Sequence, residues 1–186
     1  MRIISGTLKG RSINFLKNSI TRPLKDSVKE NIFNILKHSN LIDVVIENSN
    51  ILDLYSGIGS FGLESISRGA RNVTFVEQDK NAVNILEKNI IHLGVSSNVT
   101  TINSKVENFL KNKKKKKFNI FFLDPPFSEK KFLQDLNLIK ECNIYDVKHI
   151  IIIHRERETE DNFHNFFKVI TTKQYGRSKI IFGVFN

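Results

Sequence analysis

The middle of the chain alternates apolar runs of strand length with segments of helical periodicity, and this alternation constrains the fold more than any other feature. The runs that predict strands span residues 50–54, 72–77, 98–103, 118–123 and 148–154. The segments that predict helices span residues 60–68, 80–93, a short stretch from about 105, and 129–141. Repeated strand-helix units form a parallel sheet with helices on both faces and ligands bound beyond the carboxyl ends of the strands. We therefore expect a site at that edge.

The two ends of the chain depart from this alternation. Residues 2–15 predict a short hairpin or extended arm, and residues 26–38 have the apolar spacing of an amphipathic cover helix. Two runs at 167–175 and 178–185 predict a closing antiparallel hairpin. Because 186 residues fit one ordinary domain, we expect residues 1–40 to be an extension of the domain formed by residues 41–186.

The chain is strongly basic, with a formal charge of +10. Clustered lysine and arginine gain free energy by displacing counterions from phosphates, which favours a nucleic-acid partner. The candidate phosphate contacts near the amino terminus are Arg2, Lys9, Arg11 and Arg22. Two alternatives to nucleic-acid binding stay open. The charges of the arm could belong to an edge ribbon, where charge prevents aggregation. The overall charge could also follow from a compositional bias toward lysine, asparagine and isoleucine.

A glycine-rich segment, Gly57 to Gly62, follows the first predicted strand of the alternation and opens a helix. Glycines there let backbone N–H groups and a helix N-terminus face a nucleotide-like ligand. The segment also satisfies the dinucleotide-binding pattern, so the loop alone does not choose between NAD and S-adenosylmethionine.

Two carboxylates flank this loop. Asp53 would repel the pyrophosphate of NAD but would attract the cationic methionyl part of S-adenosylmethionine. Glu77 ends the second strand, where a carboxylate can accept hydrogen bonds from ribose hydroxyls in either cofactor class. The pair favours the sulfonium cofactor, although each acid alone could be an ordinary polar residue at a strand end.

A second segment with chemical character ends the strand at 118–123 with Asp124, Pro125, Pro126 and Phe127. The prolines stiffen the turn, so that the Asp124 carboxylate and the Pro125 carbonyl project as two acceptors. Two acceptors suit one exocyclic amine of a base, and Phe127 would stack on a base that is unpaired or flipped out. The alternative interpretation is a strand that simply ends in a proline turn.

Other functions are disfavoured by composition. Cys142 is the only cysteine, and the five histidines lack metal-binding spacing, so we expect no metal and interpret the histidines as scattered surface or strand residues. No apolar run approaches the roughly 18 residues of a membrane span. The amino terminus lacks the pattern of a secretory signal or a transit peptide. We expect a cytoplasmic monomer without membrane contact.

These motifs resemble those of the class I methyltransferases, and specifically of the RsmD-type small-subunit rRNA (guanine-N2)-methyltransferases, over nearly the whole chain. The resemblance is carried by residues 1–11, 22–36, 53–62, 63–70, 75–77, 124–127 and 175–176. It implies a Rossmann-like, seven-stranded, mostly parallel sheet and S-adenosylmethionine as methyl donor. It also implies N2 of a guanine in 16S rRNA as the target, presented by an assembled or assembling small ribosomal subunit.

The resemblance also implies roles for individual residues. Around the cofactor it places Asp53, Tyr55, Gly57, Gly59, Glu77, Gln78, Ser104 and Val106. Around the target base it places Asp124 to Phe127. Lys105 stands where such enzymes often carry an adenine-binding Asp or Asn, and lysine cannot accept that hydrogen bond. Asn103, Ser104 or the Val106 backbone N–H could take its place.

Three competing functions remain at this point. A DNA amino-methyltransferase shares the Asp-Pro-Pro-Phe chemistry but normally needs an added target-recognition region, for which the chain has no room. An NAD(P)-dependent oxidoreductase would leave Asp53 and the Asp-Pro-Pro-Phe segment unexplained. A non-catalytic RNA-binding protein would have no need of a methyl-donor pocket.

Overall fold

The computed structural model describes residues 1–15, 24–112, 116–127 and 131–186. The helices are α1 (Asp26–His38), α2 (Ser60–Ser67), α3 (Lys80–Leu93), α4 (Val106–Lys111) and α5 (Phe132–Glu141). The strands are β1 (Asn50–Leu54), β2 (Asn72–Glu77), β3 (Val99–Asn103), β4 (Phe118–Leu123), β5 (Tyr145–Glu156), β6 (Phe167–Tyr175) and β7 (Ser178–Phe185). Within these described ranges, no helix combines the length and the apolar character needed to cross a membrane.

All seven strands form one sheet in the order β3-β2-β1-β4-β5-β7-β6. Strands β1 to β5 pair in parallel, whereas β7 runs antiparallel to both of its neighbours, β5 and β6. The predicted mostly parallel sheet with a carboxyl-terminal antiparallel hairpin is therefore confirmed.

The strand order creates a crevice at the carboxyl edge between β1 and β4. From β1 the chain adds β2 and β3 on one side and then returns to place β4 on the other side. Such a reversal leaves a gap between the two outgoing connections, and open α/β sheets bind ligands there. The backbone N–H of Asp124 donates to the carbonyl of Leu54, 3.3 Å away, so the two strand ends lie side by side at this crevice.

Helices cover both faces of the sheet because alternate strand residues point to opposite sides. Helices α1, α2 and α3 pack on one face in a cluster with Ile51 and Phe122, and helices α4 and α5 pack on the other with Leu52 and Phe121. On the first face, Phe61 of α2 stacks on Phe122 with ring centroids 4.1 Å apart. The sheet is thus buried on both sides, which leaves its carboxyl edge as the place for a site.

The amino-terminal arm forms a short hairpin, one of the two forms that its sequence predicted. An antiparallel bridge joins Arg2 and Ser12, and the backbone N–H groups of residues 3 and 13 donate across the hairpin on either side of it. Gly6 turns the chain with φ +84°, and a Cβ at this position would lie 1.8 Å from the carbonyl oxygen of Ser67 in α2. The hairpin therefore lies close against the surface of α2 instead of projecting into solvent.

A buried carboxylate, Glu64 of α2, fixes the arm to the domain. Its oxygens accept hydrogen bonds from the backbone N–H groups of Ile4 and Ser5. The same carboxylate pairs with Arg68 at 2.8 Å and with the fully buried Lys29 at 3.7 Å. Burial lowers the pKa of Lys29, while the charge of Glu64 acts in the opposite direction. Arm, α1 and α2 are held together by this network.

Some element boundaries differ from the predictions. Strand β5 extends over Tyr145–Glu156 rather than 148–154, because Tyr145 pairs with Phe118 before a shift in register. Helix α5 begins at Phe132 rather than 129, and part of that prediction falls on 128–130, outside the described residues. The remaining helix and strand predictions agree with the structure to within about one residue.

Candidate active site

The glycine loop joins β1 to α2 at the crevice. Gly57 and Gly59 adopt φ angles of +53° and +83°, which side chains rarely allow. Gly62 lies in the first turn of α2, where a Cβ would stand 2.3 Å from a ring carbon of Phe75 in β2. A Cβ at Gly57, in contrast, would meet nothing within 4 Å. The loop is therefore tightly packed at its α2 end, around Gly62, and open at its β1 end, around Gly57.

Asp53, in β1 just before the loop, is 1% exposed. One carboxylate oxygen accepts a hydrogen bond from the N–H of Gly62 at 3.0 Å, while the other is buried and has no hydrogen-bond partner in the described part of the chain. Burial raises the pKa of Asp53 well above its ordinary value, and the nearby charges of Asp124 and Glu77 add to the rise. A cationic ligand group would satisfy this oxygen and lower that pKa.

Glu77, at the end of β2, holds the other side of the loop. Its two oxygens accept the N–H groups of Gly57 and Asp79, each at 2.8 Å. Since each carboxylate oxygen has a second acceptor site, both oxygens can still bind a ligand hydroxyl. The side chain is only partly buried and faces the adjoining cavity.

A cavity of about 220 Å³ opens beside Glu77, between the ends of β2 and β3 and helix α4. Its lining includes five of the predicted cofactor residues: Tyr55, Glu77, Gln78, Ser104 and Val106. Lys105 also lines it. The Asn103 side chain instead donates to the backbone carbonyls of Glu77 and Gln78, and so stabilises the wall.

Tyr55 closes the floor of the cavity from the β1 side. It has a positive φ of 57°, and its hydroxyl donates a hydrogen bond to the carboxylate of Asp135 in α5. Asp135 is buried and also lines the cavity. Asp135 was not predicted as a site residue, because in the sequence it looks like one charged residue among many on an amphipathic helix.

Asp124 follows β4 and lies across the crevice from Asp53. One of its oxygens forms a hydrogen bond with the Nδ1 atom of His154 in β5, 2.8 Å away. Phe127 is 37% exposed, and its ring meets the His154 imidazole edge-on with centroids 5.3 Å apart. The carboxylate and the aromatic ring of the Asp-Pro-Pro-Phe segment are thus brought together around one histidine.

Arg155, the next residue of β5, holds the backbone of the same turn. Its guanidinium donates to the carbonyls of Pro126 and Phe127 at 3.2 and 3.1 Å. The side chain is 1% exposed, stacks over the ring of Phe132 and pairs with the buried Asp161. Burial of a charged group is stable only with such partners.

Neither His154 nor Arg155 was predicted from the sequence as a residue of the site. The one available signal was position, since both lie at the carboxyl end of a predicted strand, where the site was expected. Spacing in the sequence does not reveal the contact, because about thirty residues separate them from the turn that they hold.

The predicted RNA contacts differ in their surroundings. Arg2 and Lys9 are exposed, and the backbone carbonyl of Arg2 accepts from Lys29. The guanidinium of Arg11 donates to the carbonyls of His92 and Leu93 at the end of α3, which engages part of its hydrogen-bonding capacity. Arg22 lies outside the described residues.

The chain is similar to one protein family and to several known proteins over most of its length. The family model described as Conserved hypothetical protein 95 matches residues 1–184. Ribosomal RNA small subunit methyltransferase D of Haemophilus influenzae is 37% identical over 160 residues, which cover 85% of this chain and 80% of that protein. YlbH of Bacillus subtilis is 34% identical over 162 residues, which cover 86% and 85%. The solved structure of yhhF from Escherichia coli matches with a TM-score of 0.84 and 28% identity over 98% of this chain and 96% of that one.

Proposed function

The chain belongs to the family described as Conserved hypothetical protein 95, the RsmD family, and from this premise we propose that it transfers a methyl group from S-adenosylmethionine to N2 of a guanine in small-subunit rRNA. The observation that carries the proposal is that a buried carboxylate with one unpartnered oxygen, Asp53, and the Asp-Pro-Pro-Phe turn lie across one crevice. The first suits a cationic cofactor and the second suits an amine.

The residues at the loop fit S-adenosylmethionine, which supplies an electrophilic methyl group on a sulfonium. The unpartnered oxygen of Asp53 is suited to the ammonium group of the methionyl part. Glu77 is suited to the ribose hydroxyls. The adenine would enter the cavity lined by Gln78, Ser104 and Val106, with the Val106 backbone N–H as donor. NAD is disfavoured, because its pyrophosphate would lie against the Asp53 carboxylate.

The turn after β4 performs the substrate chemistry in this proposal. An exocyclic amine is a poor nucleophile, since its lone pair is delocalised into the ring. Hydrogen bonds from the amine to Asp124 and to the Pro125 carbonyl direct that lone pair toward the methyl group. A nitrogen–carbon bond forms as the carbon–sulfur bond breaks, and the surplus amine proton passes to the Asp124 carboxylate. Positioning and electrostatic stabilisation supply most of the rate.

The choice of RNA rests on the family and on the basic arm. The arm places Arg2 and Lys9 on the surface, while Glu64 holds its backbone against α2. Such a fixed basic segment can contact phosphates beside a base that has been flipped into the crevice. Small-subunit rRNA, presented within an assembled or assembling subunit, is therefore the substrate that we propose.

The test is methyl transfer from labelled S-adenosylmethionine to a panel of acceptors: small ribosomal subunits from cells lacking this protein, naked 16S rRNA, and duplex DNA. We expect label in the small subunits and none in DNA. Calorimetry with S-adenosylhomocysteine and with NAD separates the cofactors, and only the former should bind. Label in DNA alone, or binding of NAD alone, would refute the proposal.

A further inference from the structure

We propose that His154 is a positioning residue for the methyl transfer: its Nδ1–H holds one oxygen of Asp124, so that the other oxygen faces the substrate amine. This proposal rests on the proposed function, which it deepens. The contact joins the Nδ1 atom to the Asp124 carboxylate at 2.8 Å. The Asp124 side chain is 26% exposed, whereas that of His154 is 7% exposed, so the histidine supports the carboxylate from the buried side.

The contact of Nδ1 with the carboxylate assigns the tautomer, and the contact of the second imidazole nitrogen is compatible with it. Nε2 of His154 lies 2.9 Å from the hydroxyl oxygen of Ser178 in β7. An ionised carboxylate only accepts hydrogen bonds, so Nδ1 carries the proton, and the Ser178 hydroxyl donates to Nε2. The chain Ser178–His154–Asp124 therefore has one consistent set of donors and acceptors in its neutral-imidazole form.

The location of His154 argues against a purely structural role. The preceding β5 residues Ile150 to Ile153 are fully apolar and buried, so an apolar residue at position 154 would continue the strand without the cost of burying a polar ring. The imidazole also packs against the edge of the Phe127 ring, 5.3 Å between centroids. One side chain thus contacts both the group that would bind the amine and the ring that would stack on the base.

Positioning predicts a particular pattern of kinetic effects. His154→Leu removes the donor and should lower kcat about 10- to 100-fold, by analogy with the loss of hydrogen-bond partners that orient the ligands of metal sites. KM for the small subunit and the Kd of S-adenosylhomocysteine should change less than about twofold. Ser178→Ala removes the contact at Nε2 but leaves the Nδ1 donor in place, so it should lower kcat less than His154→Leu does.

A matched pair of amides separates positioning from packing. The side-chain nitrogen of His154→Asn can occupy the position of Nδ1 and donate to Asp124, whereas that of His154→Gln reaches toward Nε2. We expect substantial rescue of kcat with asparagine and none with glutamine. If all three His154 variants kept kcat within about twofold of wild type, or if glutamine rescued better than asparagine, positioning by His154 would be overturned while the methyltransferase function remained.

An activity-independent measurement decides the hydrogen bond itself. Nitrogen NMR of the ligand-free protein should show the Nδ1-protonated tautomer for His154, with the resonance assigned by its loss in His154→Asn. Asp124→Ala should shift that resonance or mix the tautomers. An Nε2-protonated ring that is indifferent to Asp124→Ala would overturn the proposal. If wild type transferred no methyl to any acceptor, the proposed function would fail, and the NMR result would still decide the contact.

Discussion

The two halves of the crevice are built in different ways. On the β1 and β2 side, the carboxylates of Asp53 and Glu77 accept backbone N–H groups of the glycine loop, nine and twenty residues away. On the β4 side, Asp124 is held by a side chain, His154, and the turn after it by another, Arg155, both about thirty residues away.

Because the two halves are held differently, amino-acid substitutions should affect them in different ways. A backbone N–H is present in nearly any residue, so the loop depends on glycines that allow its path rather than on particular donors. The turn depends on the identity of two side chains of β5. We therefore expect substitutions at the loop to act through backbone path and packing, and substitutions at the turn to act through lost hydrogen bonds.

The largest expected effect is that of Asp124→Ala. Removing the acceptor for the amine should lower the rate of methyl transfer by at least about 10²-fold, since loss of one preorganised electrostatic contact commonly costs that much. Cofactor affinity should stay within about twofold, because Asp53 and Glu77 are untouched. Single-turnover transfer and calorimetry provide the two numbers. Glu160→Ala, which removes an exposed carboxylate, is the control and should behave as wild type.

Arg155→Met tests whether the turn is held by side chains. Breaking a buried ion pair typically costs about 3–5 kcal/mol, because the partner charge stays buried. Here that partner is Asp161, 3% exposed, which keeps a second cation, Lys179, at 3.7 Å, so the loss should lie at the lower end of this range. Urea denaturation should show this loss, and the Arg155→Met, Asp161→Asn double variant should recover part of it. Arg157→Met, at a guanidinium that is 51% exposed, should change stability by less than about 0.5 kcal/mol. Equal losses of stability in Arg155→Met and Arg157→Met would contradict the view that the side chain of Arg155 holds the turn.

Two alanine substitutions in the loop should separate packing from binding. Gly62→Ala would push a methyl group into the ring of Phe75 and should cost about 1–3 kcal/mol of stability. Gly57→Ala has open space around the new methyl, so its cost should be limited to the strain of a positive φ, about 1 kcal/mol. The Gly57→Ala methyl should instead weaken cofactor binding. If Gly57→Ala bound S-adenosylhomocysteine like wild type, the cofactor would not approach this loop.

The last prediction concerns the pH dependence of stability that Asp53 causes. Its folded pKa is raised by burial, so the folded state holds a proton that the unfolded state releases above the ordinary value of about 3.9. Wild-type stability should fall as pH rises from there to the raised pKa, by about 1.4 kcal/mol for each unit of difference. Asp53→Asn should lack this decline and be the more stable protein above that window, yet bind cofactor more weakly. Urea denaturation of both proteins across the pH range would test this prediction. If the stabilities of wild type and Asp53→Asn changed with pH in parallel, Asp53 would not be the cause of the decline.

The sequence was most informative where structure follows from local pattern. The strand-helix alternation predicted the sheet, and the position of Asp53 and Glu77 at two strand ends predicted their meeting at the glycine loop. Both inferences need only the period of the apolar residues and the geometry of parallel strands. The family resemblance, and not this pattern, suggested Tyr55, Gln78 and Ser104, and all three line one cavity.

Contacts between distant side chains were beyond reach. His154 looked like the other histidines because nothing in a strand reveals which neighbour its imidazole meets. Arg155 would normally be assigned to the surface, since arginine is almost never fully buried unless paired. The alternation of the arm predicted a short hairpin or an extended segment, but it did not reveal that Glu64, sixty residues away, binds the arm's backbone.

The most direct test of the account is the identity of the methylated base. Small subunits from cells lacking the protein are incubated with the purified chain and S-adenosylmethionine, and the nucleosides released by digestion are analysed by mass spectrometry. We predict one additional N2-methylguanine per subunit with the wild-type chain and none with Asp124→Ala. Methylation of adenine or cytosine, or N2-methylguanine formed equally well by Asp124→Ala, would contradict it.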